Sequence, residues 1–177
     1  ALGATASLGY DPAALAAGMG GLDAVPGRLA RIDAVGGRRI FVDYSHTPDA
    51  VRAACETLRP LPAGKLWIVI GCGGDRDRDK RPKMGRAAAE GAHVVVVTSD
   101  NPRSEDPMSI IGMIVPGVEM AGYRRAASGK DSASGGVFFV EPDRARAIRL
   151  AIAGSAEGDT VLVAGKGHED YQIFGDR

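Results

Sequence analysis

His93-Val94-Val95-Val96-Val97-Thr98-Ser99-Asp100-Asn101-Pro102-Arg103 is a β-branched apolar run that breaks into a charged turn. The run 93–98 has the length and composition of a buried strand. In an α/β sheet, the loop beyond a strand's carboxyl end is where ligands bind. An acid, an amide, a chain-stiffening proline and an arginine stand in that position here. Arg103 offers a planar fork suited to a carboxylate or a phosphate. Asn-Pro is also ordinary turn chemistry at the start of a helix. The neighbouring segments therefore have to decide between a plain turn and a site.

Outward from this run the chain alternates. Strands are predicted over 28–35, 39–43, 66–70, 137–140 and 160–164. Helices are predicted over 47–58, with Thr47 as N-cap and Pro48 in the first turn, and over 82–90, 106–119 and 142–156. Strands separated by helices imply right-handed βαβ units, hence an α/β fold: a Rossmann-like, mostly parallel sheet flanked by helices. Residues 1–20 carry two short helical patterns, the second opened by Asp11-Pro12. Pro26-Gly27 punctuates the chain and marks a boundary. The Ser- and Gly-rich stretch 128–136 reads as a flexible surface insertion.

The 177 residues suit one domain, or one plus part of another. With 22 basic and 22 acidic side chains, no net field favours nucleic acid or an anionic membrane, so anion specificity must be local. No apolar stretch approaches the roughly 18 residues of a membrane span, and no signal peptide is visible. Cys55 and Cys72 lie far apart and read as reduced thiols, which points to the cytoplasm. A start at Ala1 in helical sequence suggests a piece of a longer protein.

The charged motifs each follow a predicted strand. Asp43-Tyr44-Ser45-His46 follows 39–43. Gly71-Cys72-Gly73-Gly74-Asp75-Arg76-Asp77 follows 66–70. Asp100–Arg103 follows 93–98, and Gly165-Lys166-Gly167-His168-Glu169-Asp170 follows 160–164. In a parallel sheet these loops gather on one rim, and several charged loops on a common rim make a site. Gly71-x-Gly73 is not a dinucleotide fingerprint, because Arg76 occupies the third glycine position. Gly165-Lys166-Gly167 is not a phosphate loop, because Gly167 stands where serine or threonine is required. No three metal ligands gather at short spacing. His93 reads as structural, His168 as a hydrogen-bonding residue that orders its loop, and Lys166 as a side chain that solvates the rim. Asp75 and Asp77 are expected to orient the neighbouring arginine.

Six motifs in order, Pro26-Gly27-Arg28, Asp43–Ala50, Gly71–Asp77, Lys80–Gly85, Asp100–Arg103 and Gly165–Gln172, resemble the C-terminal domain of the MurE family, the UDP-N-acetylmuramoyl-tripeptide synthetases among the Mur ligases. The resemblance covers about residues 25–175. It implies that residues 1–24 are the tail of a central, ATP-binding domain and that 25–177 are the amino-acid-binding domain, short of its final helix. It implies an ATP-dependent amide ligase of peptidoglycan synthesis, serving cell-wall growth, cell shape and division. In that family ATP converts the D-glutamate side-chain carboxylate of UDP-MurNAc-L-Ala-D-Glu to an acyl phosphate, and the amine of a diamino acid displaces phosphate. ATP and Mg2+ are expected mainly on the preceding domains, so the 177 residues alone are expected to be inactive and to carry no catalytic residue of their own. A monomer is expected, with no nucleic-acid or membrane partner.

The Asp-Asn-Pro-Arg loop resembles the branch that adds meso-diaminopimelate. The resemblance implies that Arg76 and Arg103 pair with a carboxylate and that Asn101 offers both donor and acceptor. It gives the ligand ammonium to Glu169, while Asp100, Pro102 and Gly165 shape the loop and supply backbone contacts. Arg28 and His46 would face the nucleotide phosphates once the domains close. Two other readings compete: a stand-alone amino-acid- or anion-binding module, and a related amide ligase of folylpolyglutamate type.

Overall fold

The structure, a computed structural model, describes residues 6–19, 25–32, 36–61, 64–127 and 136–175. The expected insertion at 128–136 lies outside these residues except for Gly136, as does the expected boundary at 24/25 on its amino side. The elements run α1 (Pro12–Met19), β1 (Ala30–Ile32), β2 (Arg39–Asp43), α2 (Pro48–Leu58), β3 (Leu66–Ile70), α3 (Lys80–Gly91), β4 (Val94–Val97), α4 (Pro107–Met120), β5 (Arg124–Arg125), β6 (Val137–Val140), α5 (Arg144–Gly154) and β7 (Thr160–Ala164).

The strands form one sheet in the order β1-β2-β7-β3-β4-β6-β5. Every pairing is parallel except β1 with β2. The central strands β3, β4 and β7 are buried at every position, which is why they read as unbroken apolar runs. Their side chains still alternate. Leu66, Ile68, Ile70, Val95, Val97 and Leu162 pack with α2, α3 and α4 on one face. Trp67, Val69, Val94, Val96 and Val161 pack with Ala147 and Ala151 of α5 on the other.

Local chemistry sets the helix starts. Thr47 Oγ1 accepts from Ala50 N, Asp106 Oδ2 from Ser109 N and Asp143 Oδ1 from Arg146 N. The last of these caps starts α5 at Arg144, two residues after the expected start at Pro142. α3 begins at Lys80, before the expected Pro82, because a proline in the first turn removes only an N–H that has no helical partner. The expected strand 28–35 reduces to β1. Leu29 has φ +45° and donates its N–H to Asp43 Oδ2 (2.8 Å), which turns the chain out of extended geometry. β5 was not predicted, since two exposed arginines carry no apolar alternation. α3 and α4 meet backbone to backbone. A Cβ on Gly117 would stand 1.8 Å from the Pro82 carbonyl oxygen.

His93 closes the start of β4 on β3: its N–H donates to Leu66 O (2.8 Å), and its Nδ1 accepts from Leu66 N (2.9 Å). That ring nitrogen must therefore be unprotonated. Burial, with Arg59 and Lys65 nearby, holds the ring's pKa below its ordinary value. Folding is thus opposed wherever the unfolded ring binds a proton that the folded ring does not. The contribution is intact above the ordinary value of 6.5 and is lost as pH falls below it. His93→Asn, whose Oδ1 can accept from Leu66 N without titrating, should flatten the stability loss between neutral and mildly acid pH. Denaturant midpoints across that range check this; an unchanged slope would remove His93 as its source.

Candidate functional site

Strands β2, β3, β4 and β7 end on the same edge of the sheet, and the four loops that leave them surround a cleft of about 310 Å³. Tyr44, His46, Cys72, Arg76, Lys80, Asp100, Asn101, Arg103, Gly165 and Glu169 line it, with Gly71 and Gly73. Of the residues expected at the site, Arg76, Asp100, Asn101, Arg103, Gly165, Glu169 and His46 are in this lining. Pro102 is buried behind it, and Arg28 stands beside it over the Tyr44 ring, 4.8 Å from the centroid.

The loop after β3 and the loop after β4 are tied together. Arg81, fully buried on α3, meets Glu105 through both of its terminal nitrogens (2.7 and 2.9 Å) and also donates to Gly73 O. Glu105 Oε1 accepts in addition from Asp75 N (2.7 Å). The hydrogen bonds from Arg81 hold the Glu105 carboxyl well below its usual range, at about 2. Asp75 accepts from the Ser104 hydroxyl (2.7 Å) and N–H (3.2 Å), and these bonds lower its pKa. Its carboxylate therefore clamps the opposite loop and does not orient Arg76, which donates instead to the Asp75 carbonyl. Asp77 closes a local turn on Asp79 N. Gly74 N donates to Asn101 O (2.8 Å), and Arg103 Nη1 donates to Gly74 O (2.8 Å). The approach is so tight that a Cβ on Gly74 would stand 1.8 Å from Pro102 O. Arg103 itself sits at φ +53°. Its Nη2 and Nε have no protein partner among the described residues.

The segment after β7 lies along the Asp100–Arg103 loop. Ile173 N donates to Asn101 Oδ1 (3.0 Å), Arg103 N to Ile173 O (3.0 Å) and Gly175 N to Arg103 O (2.7 Å). Gln172 donates to the Asp100 carbonyl and to Ser99 Oγ. Lys166 does not solvate the rim. It is 6% exposed, and its ammonium meets Asn101 Oδ1 (2.5 Å), Asp100 Oδ1 (3.3 Å) and Glu169 Oε2 (3.4 Å). With Lys166 and Ile173 both donating to it, the Asn101 oxygen is spent. Asn101 can show a ligand only its NH2, which corrects the expectation that it offers both donor and acceptor.

Glu169 is held from three sides. Tyr44 OH donates to Oε1 (3.2 Å), and Asn101 Nδ2 and Lys166 approach Oε2. Burial pushes its pKa up, but the hydrogen bond from Lys166 and its charge outweigh that, and the net shift is down. The Tyr44 phenol is pushed up, first by the charge of Glu169. His46 Nδ1 faces the Tyr44 carbonyl at 2.9 Å and so carries the hydrogen, which leaves Nε2 outward. The His168 ring stacks on Tyr44 at 5.8 Å, so it orders the loop by ring contact; no side-chain hydrogen bond of the expected kind is present among the described residues. Arg144, 6% exposed, donates to Ser99 O and Ala164 O and so joins the ends of β4 and β7 beneath the rim.

The cleft can bind an anion and a cation side by side. Arg76, Lys80, Arg103 and the Asn101 NH2 offer donors, and Glu169 offers an acceptor. Among the described residues no group of three or more His, Cys, Asp or Glu side chains is placed to hold a metal ion. Burial pushes the Cys72 thiol to about 12, so it meets the cleft as a neutral wall. Tyr44, Arg81, Glu105, Arg144 and Lys166 were missed by sequence reasoning. Tyr44, Arg81 and Lys166 lay inside recognised motifs, Glu105 and Arg144 outside them, and the burial of the two arginines leaves no local signal.

Residues 27–167 match the family described as Mur ligase, glutamate ligase domain. The chain is 48% identical over 176 residues to the UDP-N-acetylmuramoyl-L-alanyl-D-glutamate–2,6-diaminopimelate ligase of Gloeobacter violaceus, covering 99% of this chain and 33% of that protein. A solved structure of a ligase of the same name superposes with a TM-score of 0.73 at 40% identity, over 98% of this chain and 33% of that one. The Thermotoga maritima folylpolyglutamate synthase shares the fold, with a TM-score of 0.54 at 22% identity over 88% of this chain and 31% of that one. The chain thus spans about a third of the length of the curated relatives it matches.

Because the Glu105 carboxyl titrates far below an unfolded glutamate, the clamp stabilises the fold fully above about 4.5 and is lost as pH falls toward 2. Glu105→Gln should lower the denaturant midpoint at neutral pH and weaken its decline across that acid window. A midpoint that matches the parent at neutral pH would show that the clamp does not stabilise the rim.

Proposed function

The chain belongs to the Mur ligase family through its glutamate ligase domain, and from that membership we propose that it is the C-terminal, amino-acid-binding domain of an ATP-dependent ligase that joins meso-diaminopimelate to UDP-MurNAc-L-Ala-D-Glu in peptidoglycan synthesis. Residues 25–177 are that domain, and residues 1–24 are the tail of the domain that precedes it. The observation that carries the reading is the guanidinium of Arg103, anchored by Nη1 to Gly74 O with its other nitrogens unspent among the described residues, in one cleft with Glu169 and with the Asn101 NH2 that bonds it.

Diaminopimelate ends in a carboxylate and an ammonium, whereas lysine ends in the ammonium alone. A carboxylate meets paired donors on Arg103, with Arg76 and the Asn101 NH2 beside it. The ammonium meets Glu169, whose Oε1 still has a lone pair after accepting from Tyr44. With lysine in place, Arg103 would stay desolvated and unpaired at a cost of about 2–5 kcal/mol. The loops thereby hold the diamino acid at a fixed place on the rim, and positioning of this kind lowers the barrier to amide formation.

ATP supplies the phosphoryl group that activates the glutamate carboxylate. The chain's own part fits the phosphate end of a nucleotide: the Arg28 guanidinium, a cationic donor, sits on the Tyr44 side of the cleft, and the His46 ring lies against the same tyrosine with its Nε2 outward as an acceptor for a nucleotide hydroxyl or amino group. Mg2+ and most nucleotide contacts belong to the preceding domains, and the whole protein is a cytoplasmic monomer in this reading. No helix among the described residues is long and apolar enough to cross a membrane.

Arg103→Ala in the full-length ligase should reduce kcat/KM for meso-diaminopimelate by roughly 30- to 4,000-fold, the equivalent of about 2–5 kcal/mol for one unpaired charge, and leave lysine use within a few-fold. Steady-state assays with both amino acids decide it, and equal losses would remove Arg103 from the specificity role. The 177 residues alone should form no tripeptide from ATP and the two substrates; measurable product would refute the division of labour between domains.

A further inference from the structure

The cleft has a second layer of control in Lys166, which is absent from its lining. This residue sits beneath the loops, 8% exposed at the side chain, between Asp100 (14%) and Glu169 (17%). Its ammonium and the Ile173 N–H converge on the single oxygen of Asn101. Both groups can only donate, so the amide has one permitted orientation. The NH2 is left to bond Glu169 Oε2 with one hydrogen and to face the cleft with the other.

We propose that Lys166 is a specificity-positioning residue. It holds the Asn101 amide so that the cleft presents a donor, and it offsets two carboxylates that would otherwise repel a ligand carboxylate. Both effects act in the same direction. Lys166 makes the cleft read a carboxylate-bearing amino acid, and its removal turns the preference toward an amino acid that ends in an ammonium alone. Arg103 supplies the pairing charge, and Lys166 decides whether the neighbouring amide and carboxylates permit it. The inference rests on the diaminopimelate reading above.

The test is steady-state kinetics of the full-length ligase with meso-diaminopimelate and L-lysine. Wild-type preference for diaminopimelate is measured first, since its absence would overturn the proposed function and this inference together. With that preference in place, Lys166→Met should lower kcat/KM for diaminopimelate roughly 10- to 100-fold, the range of a charge-assisted hydrogen bond, and mainly through KM. Lysine use should stay within about threefold or rise. Lys166→Gln, which keeps an N–H donor one bond shorter and without the charge, should show the same selective loss to a smaller degree and stands in if the methionine variant does not fold. Because Lys166 acts through Asn101, the diaminopimelate losses of Lys166→Met and Asn101→Ala should combine to less than their product. Equal losses for the two amino acids, or fully multiplicative losses in the double variant, would overturn the role of Lys166 and leave the proposed function standing.

Discussion

The ion pair between Arg81 and Glu105 is the constraint from which the rim is built. Arg81 is fully buried, and Glu105 is nearly so, at 11% side-chain exposure. A buried pair of this kind contributes little net stability over an apolar substitute, yet removing one partner is costly because the other charge stays buried. Among the described residues Arg81 Nε has no hydrogen-bond partner, so the pair is not even fully satisfied. What it fixes is position. Through Gly73 O, Asp75 N and Glu105 it holds two loops at one separation, and that separation places the Arg103 guanidinium on the Gly74 carbonyl.

Much of the fold was legible because the signals were local. Four β-branched residues in a row, Thr47-Pro48 and Asp106-Pro107 specify strands and helix starts without outside help. The ends of β3, β6 and β7 fall where the sequence puts them. β5 escaped because two exposed arginines become a strand only by pairing with β6. The membership of the cleft was equally legible, since each loop follows a strand of a parallel sheet. What the side chains do within it was not. Lys166 looks like a surface lysine until Asp100, Asn101 and Glu169, contributed by two separate loops, enclose it. Arg144 looks like a solvated helix residue until the ends of β4 and β7 receive its donors. Such roles are set by long-range packing, which a single sequence does not display.

The rim is electrically divided although the chain is neutral overall. Arg76, Lys80 and Arg103 offer charge to the cleft, whereas the positive charges of Lys166 and Arg144 are spent beneath it. Glu169 keeps its carboxylate ionised because Lys166, Tyr44 and Asn101 outweigh the cost of its burial. Tyr44 joins this layer to the outer one, with its hydroxyl on Glu169 and its ring under Arg28 and against His46. One side chain thereby connects the group assigned to an ammonium with the two assigned to the nucleotide.

The contact of Gly74 with Pro102 has a consequence for how such a cleft can diversify through descent. No residue larger than glycine fits where the two backbones touch, and at Gly73 a Cβ would crowd the Arg103 guanidinium at 2.9 Å. Inherited change at Gly74 is therefore closed off by the main chain, and at Gly73 it requires the Arg103 guanidinium to shift. What the cleft accepts can still vary through the side chains that line it, among them those at 76, 101, 103 and 169, and through Lys166 beneath them. Change in what this cleft binds is thus left to side chains, since the backbone contact at Gly74 has no room for a Cβ.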